Sequence, residues 1–280
     1  RGRHPRPAAM NSLTVQRAVL GLAVIAWGVA MVYFCASGRI MKYLAPDFRV
    51  IALAGGLGLV VLGLFNLLTC RTVAACGHDH GPEDTHDHET LDLPPLVALA
   101  IMIIPVWLGI SWTKDGFSIS ALTRKGLGDT PAEAGSLFLS SVLPPLTKEI
   151  IEAQHPANAD GYRTFPLMEL FFSSADPEMR GLIEGMPVVT EGRLVPDPEH
   201  PEKQYRLYRL FITCCAADSR PVPIIARFPE VQPEVEPNTW MTLSGTMTYP
   251  DEGEGHLPVL LVDFAKATEA PMEESFMRGY

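Results

Sequence analysis

The densest chemistry in the chain lies in "CGHDHGPEDTHDHE", Cys76 to Glu89, where His78, His80, His86 and His88 alternate with Asp79, Glu83, Asp84, Asp87 and Glu89. The layout is H-x-H, five residues, H-x-H, with Cys76 just ahead. Imidazole is the commonest protein ligand for zinc, copper and nickel, and it is mostly neutral near physiological pH, so protons compete little for these nitrogens. The interleaved carboxylates add a field that attracts a divalent cation. Gly77, Gly81 and Pro82 leave the backbone too loose for a preformed tetrahedron, and no Cys-x-x-Cys or His-x-x-x-His pair stands ready to close one. The expectation is a weak, exchangeable capture loop for zinc, copper or nickel, with Cys76, His78, Asp79, His80, His86, Asp87 and His88 as its ligands. The competing reading is a solvated acidic tether.

A second group, Cys214 and Cys215 with Asp218 three residues on, follows the run "YRLYRLFIT". Neighbouring residues on a strand point to opposite faces, and a ring closed between adjacent cysteines is strained, so a redox pair is not expected. One thiol is expected in a core and the other at the surface or in a turn. There, with Asp218, it offers a partner contact or a soft-metal ligand. The remaining polar residues form no catalytic set: P-loop, H-E-x-x-H and G-x-S-x-G motifs are missing, and "GGLGLV" (55–60) lacks the third glycine of a dinucleotide turn. His155, His200 and His256 stand alone in Pro- or acid-rich segments, where a solvated histidine is the ordinary case. Arg206 and Arg209 either face a ligand or pair with the surplus carboxylates. The chain is not expected to be an enzyme.

The elements that must carry these residues divide sharply. Residues 18–36 and 50–68 are two runs of nineteen without a charge. As helices each covers roughly 28 Å, about the thickness of a bilayer core. A third run, Pro94 to Trp112, is as long but contains Pro105, so it is expected to span with a kink, its freed carbonyl satisfied by a neighbouring helix. A cleaved signal peptide competes for the first run, but the run is long, no A-x-A site follows and a second span comes after a short loop. Ala52/Gly56 and Ala54/Gly58 place small residues four apart on the second span, a spacing that lets another helix approach closely. Net charge follows the same division: residues 1–112 hold 8 Lys+Arg and 7 Asp+Glu, leaving 14 and 25 for residues 113–280. So acidic a second half argues against nucleic-acid binding.

The expected location is a multi-pass cell-membrane protein. If Met10 is taken as the start, with the preceding residues an upstream extension, six Lys and Arg lie on one side of the spans and two on the other. That balance would put the C-terminal domain in the cytoplasm and the histidine loop outside. With the upstream arginines counted, the balance is six against five and leaves orientation open.

After a Gly- and Pro-punctuated linker over 113–161, Met168 to Phe172 reads as a short helix ending near Asp176-Pro177. Five strand-like runs follow, at 187–195, 205–213, 221–228, 239–247 and 257–265, separated by turn-rich breaks such as "PDPEHPEK". Five short strands suit a small antiparallel barrel, with the OB-fold the economical choice. The expected organisation is a transmembrane α-helical region over 1–112 and a mainly-β, OB-like domain over 162–280.

The runs "ASGRIMKYLAPDFRVIALAGGLGLVVLG", "RLFITCCAADSRPVPIIARFP" and "TWMTLSGTM" together resemble the YcgQ-like family of two-component permease subunits. The resemblance covers most of the chain and implies pairing with a separate multi-span permease of the YcgR type. The expected function is therefore an accessory permease subunit for a metal ion or related small solute, in contact with membrane lipid. Two other readings are a stand-alone membrane metal sensor or store, and an assembly factor whose OB-like domain binds a ligand while the histidines are incidental.

Overall fold

A computed structural model of the chain describes residues 7–69, 94–112, 147–197, 201, 204–229, 236–250 and 257–277. Contacts divide the chain into a helical unit, residues 1–40 with 47–115, and a β unit, residues 41–46 with 116–280.

The helical unit contains α1 (Pro7–Ala36), α2 (Pro46–Thr69) and α3 (Pro95–Trp112). Proline at the first position and Asp47 in the first turn suit the start of α2, where backbone N–H groups lack partners. Two stretches, Thr14–Ala36 and Pro46–Thr69, are long and apolar enough to cross a membrane, and Pro95–Ser111 is a shorter apolar helix. α1 and α2 meet through glycines. A methyl group on Gly28 would lie 2.6 Å from the carbonyl oxygen of Gly56, and one on Gly63 would lie 2.8 Å from that of Gly21. Ala52, Gly56 and Gly63 are buried in this contact, whereas Ala54, Gly55 and Gly58 face outward. Of the two small-residue pairs in the sequence, Ala52/Gly56 is therefore spent on the internal hairpin.

α3 is tied to α1 at its proline. Pro105 offers no N–H to the carbonyl of Ile101, and one residue further along the Trp27 indole donates to the carbonyl of Met102 at 3.1 Å. Arg39 donates to the Ile110 carbonyl at 3.2 Å, placing a cation on the last turn of α3, where free carbonyls concentrate.

In the β unit, α4 (Lys148–Gln154), capped by Thr147, leads to β1 (Arg163–Thr164), α5 (Leu167–Ser173) and α6 (Pro177–Ile183). α4 lies in the stretch read as linker, yet Ile151 is part of the core. Asp176 starts a helix as well as following one: its carboxylate accepts from the N–H groups of Glu178 and Met179, with Pro177 at the first helical position. All seven residues of α5 except Glu169 are buried.

The strands β2 (Pro187–Pro196), β3 (Gln204–Ile212), β4 (Arg220–Arg227), β5 (Thr239–Thr248), β6 (Val259–Ala267) and β7 (Phe276–Met277) join β1 in one mixed sheet. Its order is β1-β2-β5-β6-β4-β3-β7, and β2 also pairs with β3, so the pairings among β2 to β6 return to their start in a ring. Most of these pairs are antiparallel, but β4 runs parallel to β6. Two glycines permit the close approach of strands: a methyl on Gly192 would sit 2.7 Å from the Tyr208 carbonyl oxygen, and one on Gly245, at the β5–β6 bulge, would overlap that of Leu261. Inside lies a core of Leu, Ile, Val, Phe and Met side chains from these strands and from α5, including Leu170, Leu207, Ile224, Leu243 and Leu260.

Candidate functional site

The histidine loop, with His78, His80, His86, His88, Cys76, Asp79 and Asp87, lies outside the described residues, as do His200 and His256. The second chemistry-bearing group is described, and the structure brings its three members together. β3 ends at Ile212 and β4 begins at Arg220. Between them the chain turns through Thr213, Cys214 and Cys215 and a 3-10 turn, Ala216–Asp218.

Asp218 organises the reversal. Its carboxylate reaches back along the loop and accepts from the N–H groups of Thr213 (3.1 Å), Cys214 (2.8 Å) and Cys215 (3.4 Å). One sulfur from each cysteine and a carboxylate oxygen of Asp218 consequently all lie within 4.8 Å of one another. Both thiols are free and half-buried. The expectation of one thiol in the core is thus corrected. The strand has already ended, so the alternation of faces that would separate the two side chains no longer applies.

The loop is also held from the other side. Leu44 and Cys215 form an antiparallel bridge, with the Ala45 N–H donating to the Cys214 carbonyl at 3.1 Å and the Ala216 N–H to the Tyr43 carbonyl at 2.7 Å. Ala45 packs with Ile212 and Met277 in a small core of its own. The Cys214 thiol, hydrogen-bonded to the Asp218 carboxylate, is pushed up to about 11 by that bond first, then by burial and the neighbouring Cys215. Burial raises the Asp218 carboxyl, but the bonds from Cys214 and the three N–H groups outweigh it and hold the group below its ordinary value. The arrangement is a protonated thiol beside an ionised carboxylate, with a second thiol in reach.

The other candidates find partners within the domain. Arg206 is buried and forms a 2.8 Å ion pair with Asp197, itself buried. Arg209 lies over the Phe276 ring at 4.2 Å and donates to the carbonyls of Glu273 and Glu274. Neither presents a guanidinium to an open ligand face. His155, expected to be solvated, is 6% exposed: it stacks on Phe165 at 4.1 Å and approaches Glu169 at 3.1 Å. Sequence spacing gave no sign of that pair, because residues fourteen apart are joined by a segment that includes β1 and follows no single period. A groove of about 690 Å3 runs over β5 and β6, lined by Asn158, Asp160, Tyr162, Thr242, Ser244, Phe264 and Lys266 among others.

Helices long and apolar enough to cross a membrane, followed in the chain by a mixed β-sheet domain, define a two-part protein. Residues 19–127 match the DUF1980 N-terminal domain and residues 182–275 the DUF1980 C-terminal domain. The chain, carrying both domains in order, belongs to the DUF1980 family. No curated protein and no solved structure matches it at a significant level.

Proposed function

We propose that the chain is a membrane-anchored accessory subunit of a permease for a metal ion or related small solute. In this reading residues 76–89 collect the cation beside the membrane. The five-stranded ring is an OB-type barrel that contacts the multi-span partner. The carrying observation is the closed α1–α2 hairpin, whose backbones meet at Gly28/Gly56 and Gly21/Gly63. No Asp, Glu, Lys or Arg lies between Ala18 and Ala36 or between Val50 and Thr69. A transport path is expected to place ionisable groups inside its spans, where only Asn66 comes close, and a glycine-packed apolar hairpin serves instead as an anchor. Conduction then belongs to a partner.

The test combines flux and binding. Zinc, copper and nickel contents are measured in cells lacking the protein and in cells complemented with the wild type or with His78, His80, His86 and His88 all changed to alanine. In parallel, binding of the same ions is titrated on both purified full-length proteins. The reading expects altered metal content on deletion, restoration by the wild type alone, and fewer metal equivalents bound by the variant, the loop's share being lost. Unchanged metal content with binding intact would mark a stand-alone metal-binding protein. Equal or absent binding in both proteins would reduce the loop to a tether.

A further inference from the structure

The β3–β4 loop has more sulfur than its turn requires. A reversal organised by Asp218 uses a carboxylate and the N–H groups of Thr213, Cys214 and Cys215, and makes no demand for a thiol. Cys215 also occupies the N-cap of the 3-10 turn, where a hydroxyl or carboxylate accepts better than sulfur. Free cysteines commonly serve as small core residues, but both of these are half-buried and face one carboxylate.

We propose that the two sulfurs of Cys214 and Cys215 and the carboxylate of Asp218 form a three-ligand site for a thiophilic d10 cation, zinc foremost, with a fourth position open to water or an exchanging ligand. Ligand separations support this. Sulfurs at ~2.3 Å from a common tetrahedral centre are about 3.8 Å apart. The three donor atoms already lie within 4.8 Å, so modest side-chain rotation closes the site. The surrounding bonds hold the set in place. Three N–H groups orient the carboxylate, as outer-shell donors do in metal sites. The pairings with Tyr43 and Ala45 fix the peptide planes on either side of Cys215.

On binding, each thiol gives its proton to solvent and its sulfur electron pair to the cation, while the carboxylate adds its own oxygen. Three anionic ligands around a divalent ion leave one excess negative charge. Three protein ligands with an open position is the pattern of a zinc site that exchanges or activates a ligand rather than one that only staples a fold. The proposal does not rest on the histidine loop.

The test is therefore made on full-length protein whose loop is silenced by His78→Ala, His80→Ala, His86→Ala, His88→Ala and Cys76→Ser. Cobalt(II) is titrated first, then zinc. The expected result is one cobalt bound with sulfur-to-cobalt charge-transfer absorption and tetrahedral d–d bands, both erased by zinc. Cys214→Ser and Cys215→Ser should each weaken binding at least tenfold, while Cys35→Ser leaves it unchanged. Absence of the charge-transfer band, or its survival in the Cys214→Ser/Cys215→Ser double variant, overturns the proposal. A second measurement avoids variants at the site altogether: in the loop-silenced protein, zinc should protect Cys214 and Cys215 together from alkylation, read by peptide mass. Alkylation equally fast with and without zinc overturns it too.

Discussion

At the residue scale, the His155–Glu169 pair shows how burial changes ordinary side chains. His155 Nδ1 lies 2.7 Å from the Thr164 carbonyl, which can only accept, so Nδ1 carries a proton and Nε2 is left facing Glu169. Nε2 and the nearer Glu169 oxygen are 3.1 Å apart but poorly aligned for a hydrogen bond, and neither has another partner. Burial pushes the Glu169 carboxyl above its ordinary value of 4.5, and the opposing pull of His155 only partly offsets it. The folded protein therefore holds a proton there at pH values where the unfolded chain has released it. This contribution to stability is fullest at acid pH and is lost as pH rises through the folded value. Glu169→Gln, which keeps a polar group against the ring, should remove that slope, so the variant gains on the wild type as pH rises. Melting temperatures across a pH series check this, and parallel profiles for the two proteins would rule it out. Arg163 donates to the His155 carbonyl, so its charge acts on both proteins alike. Glu169→Ala removes the same titrating group, so its cost should likewise be largest at acid pH and shrink as pH rises.

At the element scale, the five strand-like runs are strands, each within two residues of its expected limits. Alternating apolar side chains and turn-rich breaks act locally, and local patterns are legible. The ring is not local. The β2–β3 closure depends on Gly192, and the β5–β6 bulge on Gly245, accepting a neighbouring backbone, which no periodicity reports. β3 was equally misleading in its faces: both are buried in the middle of the strand, so Arg206 had to be matched by Asp197. The Cys214–Cys215–Asp218 grouping was legible as composition alone, since the turn that joins its members begins where strand alternation stops. For the helices, the four-residue spacing of Ala52/Gly56 and Ala54/Gly58 identified small residues without saying which meets a partner. The structure separates them, and a substitution series makes the difference measurable. Gly63→Leu forces a side chain into space held by Ile25 and the Gly21 carbonyl, and should destabilise the helical unit by about 1–3 kcal/mol. Gly58→Leu points into open space and should leave it unchanged. Thermal unfolding of the purified protein, followed by helical circular dichroism, distinguishes them, and equal losses would remove the glycine contact as the basis of the hairpin.

At the scale of the whole molecule, chain order and unit membership disagree in one informative place. Residues 41–46, which lead from the α1–α2 connection into the first residue of α2, belong by contact to the β unit. The main core of that unit runs from Ile151 to Val262 and includes none of them, so the fragment 147–280 should fold with its ring intact. What the fragment lacks is the cover over the cysteine loop: Ala45 against Ile212 and Met277, and the two backbone bonds to Cys214 and Ala216. Amide exchange reads these losses separately. The Ala216 N–H, bonded to Tyr43 in the full chain, should be protected there and exchange rapidly in the fragment, while β5 amides stay protected in both. Loss of protection in β5 would mean that the domain needs the preceding chain in order to fold. Protection of Ala216 in the fragment would mean that the loop is held by Asp218 without Tyr43. In the expected case, the segment leading into α2 holds the backbone of the cysteine loop, and the thiols should react faster in the fragment than in the full chain.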